Sequence, residues 1–267
     1  MNVTNMEQRE IDIIAKDLWK DELRFRKDPK NTHIVKWEKE LFEELNALGY
    51  DFHWSVQFGF NTFTEKDKEI IPIIIKHLDK TENCNIKADY MSCLGVRGFY
   101  DATKYVLNEY ETNLITDNEG IRNVAAQVIE RIQDPGYVDK YLSFLTEDKL
   151  TPETAHIIRL LSKMKIEKAI PYFINLLSKE NKIKSSYYGT VLEYCKYRVS
   201  QESINALAQF KNPEHIKYVE KFLTPEKLSW IQYPDTTDGC ALLKSTYTEY
   251  RNIAKKAIKK MGGGPNI

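Results

Sequence analysis

The stretch RNVAAQVIERIQDPGYVDKYLSFL, residues Arg122 to Leu145, contains the pattern on which the architecture depends. Two segments with apolar residues three and four positions apart flank the short sequence QDPGY, and this spacing is typical of amphipathic helices. The residue before a proline is disfavoured in the α region, whereas proline itself fits the first turn of a helix. We therefore predict two helices joined by a tight turn at Asp134 and Pro135.

The second helix of this pair recurs along the chain in one register. In AIPYFINLL (169–177) the apolar residues stand at positions i, i+3, i+4 and i+7, which lie on one helical face. The same register is found in segments that begin at Ile70, Ala102, Tyr137 and His215. The last positions of the five segments are separated by 32, 35, 32 and 46 residues. A period of this size indicates a helical-repeat protein.

A first helix precedes each of the last four segments, and a second turn of the same kind, KNPEH, begins at Lys211. This arrangement resembles the HEAT-like helical repeat family over about residues 68–223, with Arg122, small residues, aliphatic residues and Pro135 in the family's order. The resemblance implies an all-α solenoid of antiparallel helix pairs in a right-handed superhelix. Two of the five recurring segments, those that begin at Ile70 and Ala169, lack the Asp/Asn-Pro turn before them. In addition, Arg97 stands where the family has an aliphatic residue.

We expect residues 1–267 to form a single α-solenoid domain. Within it, 1–67 are N-terminal helices and an aromatic cap segment, and 68–223 are the repeats. Residues 224–261 are a C-terminal loop and a capping helix, and 262–267 are a disordered tail. The spacing of 46 residues exceeds its neighbours by about one short helix. It predicts an inserted helix, Lys182 to Arg198, outside the regular stack and ahead of a first helix at Gln201 to Phe210.

The other break is GYDFHWSVQFGFNTFT, Gly49 to Thr64, in which aromatic residues alternate with non-hydrophobic ones. One interpretation is a cap that covers the apolar edge of the terminal repeat, with Trp54 and Phe58 largely buried. The alternative is a binding loop, since insertions of this length are usually functional or disordered. The binding residues would be Phe52, His53, Trp54 and Phe58. A similar aromatic loop, Trp230 to Cys240, is predicted to be a second cap.

The outer face of the second helices is the candidate partner surface, because it lines the concave side of a HEAT solenoid. The position of Tyr172 is a tyrosine in three of the five repeats, with lysines around it. Tyrosine gives a large contact area and is enriched at interfaces. The alternative is an ordinary solvated helix face. The predicted partner-binding residues are Lys76, Tyr105, Lys140, Tyr172, Lys179, Tyr218 and Lys221.

Composition excludes several classes of function. Lysines and arginines number 39 and so do aspartates and glutamates, whereas a non-specific polyanion binder is usually more basic. No apolar run approaches the roughly 20 residues that span a bilayer, and the N-terminus has no apolar signal segment. No two of the four cysteines form a CxxC motif. They are therefore expected to be free thiols and not to form disulfides or bind zinc. A cytoplasmic protein without a membrane partner is predicted.

Catalytic, metal and cofactor motifs are not found in the sequence. The five histidines form no HExxH or ligand pair, and His156 and His215 are expected to be packed near the core. MSCLGVRGF has two glycines but lacks the strand context of a phosphate loop. The closing helix carries Arg251, Lys255, Lys256, Lys259 and Lys260. These cations complement the helix dipole, with anion binding as the alternative.

The sequence therefore favours a non-enzymatic scaffold that binds a protein partner with an acidic surface. Small solenoids of this composition suit a bacterial adaptor or an immunity-type protein, which neutralises another protein. The alternative is a nucleic-acid-binding protein, since some alkylbase DNA glycosylases are built from HEAT-like repeats. Asp89 or Glu147 would then be the candidate carboxylates, although no residue-by-residue motif supports either.

Overall fold

All regular elements that the structure describes are helices, which confirms the all-α class. The computed structural model describes residues 20, 24, 26–52, 59–116, 118–146, 149–178, 189–228 and 237–264, and no strand occurs in these ranges. The helices are α1 (Thr32–Asn46), α2 (Ile70–Leu78), α3 (Cys84–Met91), α4 (Tyr100–Ile115), α5 (Glu119–Ile132), α6 (Val138–Ser143), α7 (Thr154–Lys163), α8 (Ile170–Ser178), α9 (Gly189–Gln209), α10 (Ile216–Val219) and α11 (Thr237–Lys260).

The helices pack in an alternating order. Helix α3 contacts α5, α5 contacts α7, α7 contacts α9 and α9 contacts α11, so that every second helix belongs to one continuous row. The intervening helices lie against members of this row, α4 on α5 and α8 on α9. Among the intervening helices, α2 contacts α4 and α8 contacts α10. The row helices supply a continuous core, in which Ala125, Ile129, Ile158, Leu161 and Leu207 are fully buried.

Three turns between a row helix and the next helix share one backbone conformation. Gln133, Lys165 and Lys211 each have a positive φ, between 53° and 58°. The following residue is extended, and a three-residue 3-10 turn then leads into α6, α8 or α10. The left-handed residue ends one helix by satisfying carbonyl groups of its last turn. Asp134 and Asn212 then accept a hydrogen bond from the backbone N–H two residues on.

The turn before α8 keeps this conformation although its sequence lacks Asp/Asn-Pro. Ile166 occupies the extended position with φ −78° and ψ 97°, and it has no side-chain capping bond. Its backbone N–H instead donates to Leu161 O at 3.0 Å. The departure from the sequence pattern at this turn therefore does not change the backbone path.

The predicted separate helix from Lys182 to Arg198 is wrong for the part that the structure describes. Residues 189–209 form the single helix α9, which runs through the position where the break was predicted. No proline and no glycine follows Gly189 within this helix, so nothing in the backbone chemistry interrupts it. Val199 and Ser200, at the expected junction, are buried. Residues 182–188 lie outside the described part of the chain.

Helix α11 packs its apolar face onto the end of the helix row. Tyr250, Ala254 and Ile258 are fully buried, and the Tyr250 ring stacks on Phe222 with centroids 5.3 Å apart. This helix therefore covers α9, as a capping helix is expected to do. Most of the aromatic loop before it, residues 229–236, lies outside the described residues, as do 265–267 of the tail. No helix in the described part is both long and apolar enough to cross a bilayer.

Candidate functional site

The three tyrosines of the predicted partner surface are each half-buried. Tyr105 lies on α4, Tyr172 on α8 and Tyr218 on α10, and all three pack partly against the hydrophobic core. The Tyr105 hydroxyl oxygen is buried. Burial and the nearby carboxylate of Glu109 raise the pKa of Tyr105. The Lys217 ammonium lies 5.1 Å from the centre of the Tyr218 ring. Each ring therefore has one packed side and one accessible part.

The lysines of the predicted surface are held by other parts of the chain. Lys76 Nζ lies 2.8 Å from Glu44 Oε1 on α1. Lys140 Nζ lies 2.5 Å from Glu111 Oε1 on α4. The side chain of Lys221 is half-buried and donates to Leu177 O at the end of α8, and burial lowers its pKa. Lys179 lies outside the described residues. The described lysines therefore present less free positive charge than the sequence suggests.

Several of these contacts join oppositely charged residues about one repeat period apart. Lys76 and Glu44 are 32 residues apart, and Arg122 and Glu153 are 31 apart. Similar separations of 29, 33 and 29 residues are found in the pairs Glu111–Lys140, Glu130–Lys163 and Asp139–Lys168. Side chains one period apart meet when neighbouring helix pairs stack in register. Lys76 and Glu44 join the consecutive helices α2 and α1, whereas the other pairs join an element to the second one after it, such as α4 to α6 and α5 to α7.

The first end of the aromatic segment is fixed by Asn46. The Asn46 side-chain amide donates to Phe52 O at 2.9 Å, and its oxygen accepts from Phe52 N at 2.8 Å. The Tyr50 ring stacks on Phe52 with centroids 5.7 Å apart and meets the Phe63 ring edge-on. The Tyr50 hydroxyl donates to Asp67 Oδ1 at 2.7 Å. This end of the segment is thus an aromatic cluster tied to the start of α2.

The second end is fixed by Arg131 at the end of α5. Its guanidinium donates to Gly95 O at 2.8 Å and to Asn61 Oδ1 at 2.6 Å. The same group lies 4.8 Å from the centre of the Phe60 ring. Gly95 leaves room for this ring, since a Cβ at that position would lie 2.9 Å from Phe60 Cδ1. The segment therefore reaches past the first helix pair as far as α5.

These contacts favour the cap interpretation for the described ends of the segment. Phe63 is buried, and Phe52 and Phe60 are half-buried against the core. Residues 53–58, which include Trp54 and Phe58, lie outside the described residues. The burial of these two side chains therefore stays a prediction, and so does the role of His53 in a binding loop.

An ionic network between α5, α7 and α9 is centred on Glu130, which is only 8% exposed. Glu130 Oε2 lies 2.7 Å from His156 Nδ1, and Glu130 Oε1 lies 2.7 Å from Lys163 Nζ. The Arg159 guanidinium lies 3.1 Å from Glu130 and 2.6 Å from Glu202. Burial alone would raise the pKa of Glu130, but hydrogen bonds from His156 and Lys163 and the charge of Arg159 lower it to about 2.

Sequence reasoning missed this network, although one signal was present. Glu130 and Lys163 are separated by 33 residues, close to the repeat period. A search for opposite charges one period apart on successive row helices would have found this pair. The prediction that His156 and His215 are packed near the core is confirmed, since both are buried.

The described residues offer no grouping of three or more His, Cys, Asp or Glu side chains that could hold a metal ion. Of the two carboxylates considered for a glycosylase, Asp89 is exposed on α3 and Glu147 lies outside the described residues. Comparisons with protein-family models, with curated proteins and with solved structures gave no match to this chain. The fold thus defines the chain as an all-α protein. Its function has to be inferred from its own residues.

Proposed function

We propose that the chain is a HEAT-like helical-repeat scaffold that binds a protein partner. The architecture is supported by the helix order, by the three equivalent turns and by the ion pairs, about one repeat period apart, that join α4 to α6 and α5 to α7. In a stack of this kind each repeat contacts only its neighbours, and the repeated positions together form an extended surface. Such a surface suits the recognition of another macromolecule.

The main observation that supports the proposed binding site is the recurrence of a half-buried tyrosine on α4, α8 and α10. Tyr105, Tyr172 and Tyr218 occupy equivalent repeat positions, and each is packed in part against the core. A ring that is already fixed loses little conformational entropy when a partner covers its other side. Such residues are suited to be the anchors of an interface.

The lysines have a smaller part in this proposal than the sequence alone suggests. Lys76 and Lys140 keep 53% and 39% of their side chains exposed, but each is paired with a carboxylate. We therefore propose that the tyrosines supply the affinity. The lysines contribute a weaker attraction for an acidic partner surface, which acts mainly on the rate of association. We further propose that the protein acts in the cytoplasm, where Cys84 and Cys93 remain free thiols.

The test is affinity capture from nuclease-treated and untreated lysate of the native cell, followed by measured affinities for the captured partner. Tyr172→Ala and Tyr218→Ala should each weaken binding by about 5- to 30-fold, corresponding to about 1–2 kcal/mol. Tyr100→Ala is the matched control, because Tyr100 is 48% exposed and lies at the start of α4, outside the tyrosine positions. Its affinity should equal that of the wild type.

Two outcomes would contradict the proposal. Wild-type affinity in both tyrosine variants would show that this surface is not the site. Loss of capture after nuclease treatment, together with a steep fall of affinity with salt, would favour the nucleic-acid alternative instead.

A further inference from the structure

The last turns of α7, α9 and α11 line a half-open cavity of about 260 Å³ on a different set of helices from the tyrosine surface. Its floor is made of small side chains, among them Ser162, Ala206 and Ala257. Its rim carries polar and charged residues that protrude from three separate helices. The charged residues of the rim are Arg159, Lys163, Glu202, Lys256 and Lys260.

The rim has an excess of positive charge. Glu202 and the underlying Glu130 balance two of its four cations, and both carboxylates are engaged by Arg159. Lys163 is also paired with Glu130, but 52% of its side chain remains exposed. Two positive charges are left over, on the side of the cavity that α11 supplies. Lys256, on that side, has no ion-pair partner among the described residues.

Helix dipoles account for only part of this arrangement. Cations are favoured at the last turn of a helix, where carbonyl groups are unpaired, and the effect fades beyond that turn. Lys260 and Lys165 fit this explanation, since they donate to the side-chain and backbone oxygens of Gln209 at the end of α9. Lys256 lies more than one turn from the end of α11 and lines both this cavity and a neighbouring open depression beside Asn252.

We propose that this cavity binds the phosphate group of a small phosphorylated ligand through Lys163, Lys256 and Lys260. Lysine ammonium groups act as compact positive charges with three donors each and are common phosphate ligands. The cavity is slightly smaller than the range of about 300–1,000 Å³ for drug-sized ligands, so it fits a phosphate and a few further atoms. A compact cavity in a chain of zero net charge suits a small anion better than a nucleic-acid backbone, which requires an extended basic surface.

The test is a calorimetric titration of the full chain with inorganic pyrophosphate at low salt. The wild type should bind in a saturable way with a stoichiometry of one. The double variant Lys256→Gln/Lys260→Gln should weaken binding at least tenfold. The matched control is Lys255→Gln/Lys259→Gln, which removes the same charge from exposed neighbouring positions of the same helix that do not line the cavity. This control should stay within twofold of the wild type.

Several results would overturn the proposal. These are no saturable binding by the wild type, equal weakening in the two double variants, or tighter and steeply salt-dependent binding of duplex DNA that involves the same lysines. Thermal unfolding of both variants checks their fold, and Lys256→Gln alone replaces the double variant if that variant is destabilised. Tyr172→Ala should bind pyrophosphate like the wild type, which separates this site from the proposed partner surface.

Discussion

Among the individual side chains, Glu130 is a buried carboxylate that contacts three basic residues. A buried carboxylate is unfavourable unless charged and hydrogen-bonding partners replace water. Here His156, Arg159 and Lys163 come from one face of α7 and supply those partners. A carboxylate with a depressed pKa stabilises the folded state while it is ionised.

We predict that Glu130→Gln destabilises the protein by about 3 kcal/mol at pH 7, which is the scale of the shift in pKa. The pKa of Glu130 is about 2 in the folded protein, against a usual value of 4.5. The stabilisation is therefore complete above pH 4.5 and is lost as the pH falls toward 2. Urea unfolding at a series of pH values checks this, and the wild type and the variant should converge in stability at the acid end.

A matched control for Glu130→Gln is Glu43→Gln, since Glu43 is 65% exposed and its ion pair within the described part of the chain is with Lys39, one turn away. Its effect should stay below about 0.5 kcal/mol. A similar loss for both variants, or a constant difference at every pH, would contradict the prediction.

Gly95 is a second position at which a neighbouring side chain, Phe60, determines how a substitution changes stability. Its φ of −74° is accessible to any residue, so Gly95→Ala would ordinarily stabilise the protein by up to about 1 kcal/mol. The Phe60 ring and Ser92 O lie 2.9–3.0 Å from the added Cβ. We therefore predict a loss of about 1–3 kcal/mol, the range for overpacking, measured by urea unfolding.

The double-mutant cycle with Phe60→Ala tests the cause. In the Phe60→Ala background the loss from Gly95→Ala should fall by at least half, with the remainder due to Ser92 O. Gly59→Ala is the control, since no heavy atom lies within 4 Å of its added Cβ. An undiminished loss in the cycle would show that Phe60 is not responsible.

Among the helices and turns, sequence reasoning succeeded where the backbone chemistry is local. The Asp134–Pro135 turn and the register of α8 followed from proline and from helical spacing, and Phe173 and Leu177 are buried as predicted. Ile170 and Ile174, the other two predicted core positions, are only half-buried while Leu176 is buried, so the buried face is rotated from the predicted one. The length of α9 was missed because the break was inferred from the repeat spacing alone, although no proline or glycine marks a helix boundary near Val199.

The left-handed turn residues give a prediction for these elements. Gln133 has φ 57° and ends α5, a conformation that is unfavourable for a residue with a Cβ. Gln133→Gly should stabilise the protein by about 0.5–1 kcal/mol. The same replacement inside α5, Gln127→Gly, should destabilise it by a similar amount. Thermal unfolding measures both, and a loss of stability in Gln133→Gly would contradict the prediction.

For the chain as a whole, the all-α class could be predicted, but the charge of the candidate surface could not. The helical period places Lys76 and Lys140 on outer faces, and the local sequence is sufficient to predict this. Their partners Glu44 and Glu111 lie on other helices, and only the packing of the pairs shows that the charges are neutralised. The cavity at Lys256 was missed for the same reason, since three distant segments form it.

If each helix pair is stabilised by its neighbours alone, damage at one end should remain local. Tyr250 is fully buried and stacks on Phe222, and Tyr250→Ala should cost about 3–5 kcal/mol. Hydrogen exchange should become faster in α9, α10 and α11 and remain unchanged in α3 and α4. Uniformly faster exchange over all helices would show a single cooperative core instead.

Because Asn46 and Arg131 hold the two ends of the aromatic segment, a foreign peptide could be inserted between them. Asn46 fixes the backbone at Phe52, and Arg131 fixes it at Phe60 and Asn61. The side chains that hold both ends belong to α1 and α5. A foreign peptide inserted between Phe52 and Gly59 at a point that leaves Trp54 and Phe58 in place would add loop-closure entropy of about 0.6 kcal/mol for each doubling of length. The scaffold would thus display a new epitope without a redesign of its helices.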